Sequence, residues 1–312
     1  MLDVRRLRLL TDLDRLGTIA AVAAVHAYTP SAVSQQLAAL EREAGVALLQ
    51  RTGRRVRFTA AGRVLVRHAA VVLNAMEETT AALAAVASEP TGLVRVGAHP
   101  TAVRTVLPAA LVALGRDHPG LELSVSELDP IAVPAALRDR RLDVALVQDY
   151  DVAPAAADPM LESVALLDER VYLAVAADAP ISDLAGTRDT AWILSTPGTL
   201  CHEAALRVCR AAGFIPRARH HIDDFDAVLA LVAAGQGVAL VPELAAAPRP
   251  QVSLIDVPTR RRTRIGYRRG AAAHPAVAAV VTALRASAAA FELVQVSVRP
   301  PVSSTDIAGR PR

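Results

Sequence analysis

The stretch Thr18 to Ala44, TIAAVAAVHAYTPSAVSQQLAALEREA, constrains this chain more than any other. It reads as two helices joined by a tight turn. The first runs from Thr18 to about Val25 and is built from Ala and Val, so another helix can lie close against it. A break follows at His26-Ala27-Tyr28-Thr29. Thr29 can then cap a second helix, with Pro30 at the first helical position, where a missing N–H costs nothing. Val33, Leu37 and Leu40 repeat at spacings of four and three and face inward. The opposite face carries Ser31, Ser34, Gln35 and Gln36, short polar groups without net charge. Such a face suits base edges, with charge left to flanking residues. An ordinary amphipathic hairpin would share these features.

The next stretch decides between the two readings. Gly45 ends the second helix as its left-handed terminal residue. LLQRTGRRVRFTAAG, residues 48 to 62, then places Gly53 between two short extended runs, with Arg51, Arg54, Arg55 and Arg57 around it. This is a β-ribbon loaded with guanidinium groups, which bind phosphate bidentately. A helical pair followed by a basic ribbon is a far more specific signal than the pair alone.

On Gly17-Thr18-Ile19, Ala32-Val33-Ser34, Leu40-Glu41, Gly45, Arg51-Thr52 and Thr59-Ala60-Ala61-Gly62, residues 1 to 65 resemble the winged helix-turn-helix of LysR-type transcriptional regulators. The chain departs from that pattern at His26, where an apolar residue is usual, and at Pro30-Ser31, where Gln-Pro is commonest. The resemblance implies that Thr29, Pro30, Ser31, Ser34 and Gln35 of the second helix and Arg51, Arg54 and Arg55 of the ribbon contact DNA. It further implies a homodimer or homotetramer on a pseudo-palindromic double-stranded operator, and leaves RNA polymerase open as a further partner.

Charge follows the same division. Residues 1 to 65 hold 10 Arg against 5 acids, whereas the remainder holds 24 Arg against 26 acids. The positive excess therefore sits where a polyanion would bind. Lys is absent, and aromatics make up 3% of the chain, so the cores must be mostly Ala, Val and Leu. Cys201 and Cys209 lie eight apart without metal-binding spacing, so neither zinc nor a disulfide is suggested, and Cys209 reads as a core thiol. No metal or cofactor is expected. The N-terminus does not read as a signal peptide, and no charge-free run of about 18 apolar residues occurs, so a cytoplasmic protein without a membrane span is expected.

A first helix is expected over 2–16, with Leu2, Leu9, Leu10, Leu13 and Leu16 inward and Arg5, Arg6 and Arg8 near its start. Residues 60–88 form the longest helical pattern, in which Leu65, Ala69, Val72, Met76, Thr79, Leu83 and Val86 make a heptad seam suited to pairing two subunits. Residues 88–92 read as a hinge. Beyond it strands are expected at 93–98, 121–127, 142–147, 164–175, 191–195, 217–222, 238–241, 252–257 and 263–268. Helices are expected at 103–117, 130–140, 199–213, 224–235 and 275–293. This alternation argues for an α/β fold with largely parallel sheets. The resemblance implies a periplasmic-binding-protein-like effector domain of two Rossmann-like subdomains. The organisation is then a winged helix-turn-helix over 1–62, a linker helix over 63–90 and an effector domain over 91–294. Its subdomains would be about 92–162 with 268–294, and about 163–267. Residues 295–312 read as a disordered tail.

Ligands of open α/β sheets bind beyond the strand ends, near helix N-termini. Two loops qualify, the one carrying Pro100 and Thr101 and the one carrying Ser195, Thr196 and Thr199. Their hydroxyls and free helix N–H groups suit a small-molecule carboxylate, while Thr101 and Thr199 would also serve as helix caps. Asp149 is placed at the cleft, and Arg104 is a candidate counter-charge. Asp223 and Asp224 read as a cap, and Gly235-Gln236-Gly237 as a helix terminus and not a dinucleotide loop. No catalytic motif is present, and His99, His202, His220 and His221 lack partners at any recognisable spacing, so no enzyme is expected. The competing reading is a solute-binding module without DNA-binding activity. The basic ribbon counts against it.

Overall fold

The computed structural model describes the backbone of residues 1–52, 55–86 and 89–298, with side chains over 1–50, 56–86 and 89–291. Of the tail expected over 295–312, residues 295–298 instead continue the last helix, while 299–312 and the turn at Gly53-Arg54 lie outside the described residues. Helix α1 (Val4–Leu16) starts where Asp3 accepts from the Arg5 and Arg6 amides, and ends at Gly17 in the left-handed region. Helix α2 (Ile19–Val25) is capped by the Thr18 side chain. Helix α3 (Pro30–Ala44) starts on Thr29, whose hydroxyl accepts from the Ala32 amide, and stops at Gly45 with φ 69°. These termini are where the capping residues place them. Leu10, Leu13, Val22, Val33, Leu37 and Leu40 close one core among the three helices.

The ribbon consists of β1 (Leu49–Thr52) and β2 (Arg55–Phe58), antiparallel, with Leu49 opposite Phe58. Glu41 fixes it to α3 by accepting from the amides of Leu48 and Leu49, each at 2.9 Å. Helix α4 (Ala60–Val86) follows, with Thr59 Oγ1 accepting from the Gly62 amide at 3.0 Å. The expected seam on α4 divides into two parts. Leu65 and Ala69 pack into the core of the N-terminal helices. Val72, Met76, Leu83 and Val86 are 40%, 50%, 70% and 81% exposed. The first part of the seam is thus consumed within the chain, because α1 lies across it. With two charged residues tolerated, α4 is long and apolar enough to cross a membrane, with a mean hydropathy of 1.3. Its Glu77, however, is ion-paired within the chain to Arg268 at 2.8 Å.

The remaining elements are β3 (Gly92–Ala98), α5 (Pro100–Arg104), α6 (Val106–Asp117), β4 (Leu121–Glu127), α7 (Val133–Arg138), β5 (Val144–Tyr150), β6 (Leu161–Ala176), β7 (Ala191–Leu194), α8 (Leu200–Ala211), β8 (Arg217–His221), α9 (Phe225–Ala233), β9 (Ala239–Pro242), β10 (Val252–Arg268) and α10 (Pro275–Val298). A six-stranded sheet runs in the order β4-β3-β5-β10-β6-β9, and β7 pairs with β8 separately. Pairs β3–β4, β3–β5 and β7–β8 are parallel, while β5–β10, β10–β6 and β6–β9 are antiparallel. The sheet is therefore mixed and not largely parallel. The two strands expected at 252–257 and 263–268 are one strand with an irregularity between Val257 and Arg260. Strands β6 and β10 cross the expected subdomain limits at 162/163 and 267/268 without a break.

Two apolar cores flank this shared strand pair. Val96, Val106, Leu114, Leu146, Ile265 and Leu284 fill one lobe. Leu173, Trp192, Cys209, Phe214 and Val238 fill the other. The helix expected over 103–117 breaks at Thr105, with φ −110° and ψ −74°, so α5 and α6 are separate. The loop after β10 packs on α4. A Cβ on Gly270, at φ +90°, would lie 2.7 Å from the Asn74 carbonyl oxygen, so only glycine permits this approach. Arg15 of α1 also reaches Asp139 beyond α7 at 2.8 Å, tying the N-terminal helices to the first lobe.

Candidate functional site

Two surfaces gather the polar residues singled out above. On α3, Ser31 and Gln35 are exposed, one turn apart and facing away from Val33, Leu37 and Leu40. Ser34 donates its hydroxyl to the Pro30 carbonyl at 2.9 Å, and Gln36 accepts from Arg6 Nε at 2.9 Å. Arg6 is further ion-paired with Glu43, which removes it from the set of free cations. Arg57 stands exposed on β2, while the side chains of Arg51, Arg54 and Arg55 lie outside the described residues. His26 closes the turn between α2 and α3 by bonding Asp12 through Nε2 at 2.7 Å. A polar residue is tolerated there because α1 supplies its partner.

The second surface is a cleft of about 210 Å³ between the lobes. Pro100 and Thr101 line it from the first lobe, Ser195 and Thr199 from the second. Its floor follows from strand register. Gln148 lies opposite Thr263, and Tyr150 opposite Arg261, which itself lies opposite Glu169 of β6. Side chains on a strand alternate between faces, so Gln148, Tyr150, Arg261 and Thr263 share one face. Asp149 must then point the other way. It is buried and ion-paired with Arg264 at 2.6 Å, and does not line the cleft.

His99 ends β3 and caps α5, its Nδ1 accepting from the Ala102 amide at 3.3 Å. The cap thus falls two residues before the expected Thr101, which is instead buried at the cleft. With Nδ1 accepting, His99 Nε2 carries the hydrogen and directs it at the Gln148 amide 2.8 Å away. Gln148 Nε2 occupies that position and donates to the Thr263 hydroxyl at 3.2 Å; exchanging the oxygen and nitrogen of this amide gives His99 its acceptor and lets the Thr263 hydroxyl donate instead. Burial, and then the nearby Arg261 charge, hold His99 well below the ordinary imidazole range.

On the second lobe, Thr199 caps α8 by accepting from the His202 amide, as its sequence position requires. His202 and His221 each donate Nδ1–H to the Ser195 carbonyl, at 2.8 and 3.2 Å. Thr196 gives both its amide and its hydroxyl to Asp223, at 2.8 and 2.6 Å, and does not line the cleft. Asp224 caps α9, whereas Asp223 turns to the cleft. Arg104 does not turn inward. It bridges from α5 to Asp224 and Asp226 of the other lobe, at 3.1 and 2.7 Å. Cys209 is wholly buried, and burial pushes its thiol up to about 12. Burial also raises the Cys201 thiol, which lies 3.4 Å from the Tyr150 hydroxyl.

Comparison with known proteins covers both parts of the chain. The family model described as LysR substrate binding domain covers residues 87–289. The one described as bacterial regulatory helix-turn-helix protein, lysR family, covers 4–63. The chain belongs to the LysR family.

A relative from Mycobacterium avium, a probable hydrogen peroxide-inducible genes activator, is 34% identical over 69% of this chain and 70% of its own length. The transcriptional dual regulator GltC of Bacillus subtilis is 27% identical over 84% of this chain and 89% of that protein. Among solved structures, a Corynebacterium glutamicum OxyR mutant shares 26% identity with a TM-score of 0.57, covering 95% of each chain. The LysR-family regulator CbnR, seen with its target DNA, shares the fold at 24% identity and a TM-score of 0.50, over 92% of this chain and all of that one. Like these LysR-family proteins, this chain is a DNA-binding transcriptional regulator with an effector-binding domain. The sequence pattern gave His99 no partner and missed Gln148, Thr263 and Arg261 of the cleft. For the last two the signal was present in Thr259-Arg260-Arg261-Arg262-Thr263, whose alternate residues share a face.

Proposed function

We propose that α3 reads bases through Ser31, Ser34 and Gln35, while Thr29 and the arginines of the ribbon, Arg51, Arg54 and Arg55, hold phosphate. Two copies pair along the exposed stretch of α4 and set two reading helices on a pseudo-palindromic operator, as a dimer or a pair of dimers. A small molecule in the cleft between Pro100-Thr101 and Ser195-Thr199 changes the spacing of those helices without being turned over. Such a regulator works in the cytoplasm. The observation that supports this most is the ion-paired junction in which Arg15 meets Asp139 and Arg268 meets Glu77. Through it a movement of the first lobe is felt by both α1 and α4.

Several relatives carry names that speak of hydrogen peroxide. Peroxide is reduced by a thiolate; Cys209 is buried, Cys201 is half-buried at the cleft, and burial raises both thiols, which favours a ligand held without a covalent step.

Operator binding by Gln35→Ala and Arg57→Ala tests the division of labour on DNA. Gln35→Ala should lose base discrimination worth about 1–3 kcal/mol per contact. Arg57→Ala should weaken all sequences alike and lower the salt slope by about one unit. If Arg57→Ala changed sequence preference while Gln35→Ala did not, the roles of helix and ribbon would be reversed.

A further inference from the structure

Arg261 is 1% exposed, and among the described residues it is the one buried arginine. Its Nε donates to Glu169 Oε1 at 2.7 Å. Glu169 uses its other oxygen to accept from the Leu244 amide at 2.8 Å, so each oxygen of this carboxylate has one donor, a guanidinium nitrogen and a backbone amide. Arg261 Nη2 is buried and has no hydrogen-bond partner. A guanidinium Nη carries two N–H donors, and buried donors in native proteins are almost always satisfied. Arg261 lines the cleft, at the centre of the row that runs from Glu169 to Tyr150.

The surroundings are graded in charge. The floor holds the guanidinium, flanked by an imidazole kept neutral. The rim holds Glu127, Asp129 and Asp223, all lining the same cleft. Asp129 accepts from the Ile131 amide and Asp223 from Thr196, while Glu127 stands exposed. A dicarboxylate long enough to reach from floor to rim would set its second charge against three acids. A plain amine would find its own sign on the floor. At about 210 Å³ the cleft lies below the roughly 300–1,000 Å³ of sites for drug-sized ligands.

We propose that Arg261 is the anion-binding group of the cleft, and that the effector is a small zwitterion of the α-amino-acid type. Its carboxylate takes the Nη2 hydrogens, and its ammonium sits among Glu127, Asp129 and Asp223. This rests on the cleft being the effector site and adds the residue that selects the ligand class. Charge-assisted hydrogen bonds to a guanidinium are the strong kind, and here solvent is excluded from one side. The arrangement also explains why the guanidinium is not fully used by the protein.

Glycine, acetate and methylamine are the probes, because they are the headgroup, its carboxylate half and its ammonium half. Each is titrated at millimolar concentration against the full-length protein, with melting temperature and the guanidinium resonances of ¹⁵N-arginine-labelled protein as readouts. Acetate should bind and shift the Arg261 resonance, glycine should bind several-fold more tightly, and methylamine should not bind. The paired variant Arg261→Gln/Glu169→Gln, which leaves no lone buried charge, should weaken glycine by about thirtyfold or more. Glu127→Gln/Asp129→Asn should bring glycine down to the level of acetate.

An unchanged glycine affinity in the Arg261→Gln/Glu169→Gln protein would overturn the proposal. Methylamine binding as well as glycine, or a silent Arg261 resonance with all three probes, would do the same. If the paired variant fails to fold, the wild-type resonance and the rim variant still decide. Operator binding by the wild type is measured alongside. Its absence would count against the regulator reading and leave the Arg261 result standing.

Discussion

Leu83→Asp probes the pairing of two chains along α4, and its size can be worked from the exposed residues. Val72, Met76, Leu83 and Val86 together present about two and a half apolar side chains' worth of uncovered surface. Full burial of one such side chain contributes about 1.5–3 kcal/mol. Covering all four therefore contributes about 4–7 kcal/mol per helix and roughly twice that per dimer. Association itself costs about 4–15 kcal/mol, so this seam is the kind of surface that decides whether a dimer exists. Leu83 is 70% exposed, so its loss from both helices removes about 2–4 kcal/mol, a weakening of about thirtyfold to a thousandfold. A carboxylate left unpaired between the helices adds to that. Leu83 lies beyond the part of α4 that packs on the N-terminal helices, so those should stay folded. Sedimentation equilibrium across a dilution series reads the effect. Wild-type and Leu83→Asp proteins of equal mass at every concentration would refute the pairing, and α4 would then cover this strip in some other way.

His99 gives the chain a pH dependence of defined sign. Its folded pKa is held below the unfolded value of about 6.5, so the unfolded state binds the proton first and stability falls as pH drops below about 6.5. The slope attributable to this group approaches but does not exceed about 1.4 kcal/mol per pH unit. Urea unfolding of His99→Gln between neutral and mildly acid pH should show a shallower slope than wild type, and equal slopes would contradict the assignment. Arg104→Ala removes the bridge across the cleft mouth to Asp224 and Asp226. Those partners are exposed, so stability should change by less than about 1 kcal/mol, and effector affinity by about fivefold at most. A larger loss, read by titrating the effector, would mean that Arg104 touches the ligand.

The reading head was legible in the sequence because its signals are local. Thr29, Pro30 and Gly45 dictate backbone geometry within a few residues, and the helix they predict is the helix found. The cleft was legible only in its loops, for the same reason: Pro100 and Thr199 announce helix starts. Its floor was not, since Gln148, Arg261 and Glu169 meet only through pairing of strands far apart in the chain. Asp149 and Thr196 illustrate the limit. Both sit one position from a cleft residue, and strand alternation or a competing carboxylate turns each away. The seam of α4 was read correctly as apolar, yet periodicity cannot tell which turns meet α1 and which are left uncovered.

The irregular sheet has one further consequence. The chain leaves β6 at Ala176 and re-enters β10 at Val252, and these two residues are register partners. The Ala177 amide donates to the Gln251 carbonyl at 2.9 Å, so residues 177–251 form a single excursion with adjoining ends. That excursion carries Ser195, Thr199 and Asp223, whereas Arg261, Gln148 and His99 stay behind on the frame. It is therefore a cassette: a foreign lobe spliced between Ala176 and Val252 would replace the walls at Ser195 and Thr199 and the rim acid Asp223, while Glu127, Asp129 and Arg261 stay and only the Leu244 amide that holds Glu169 must be supplied anew.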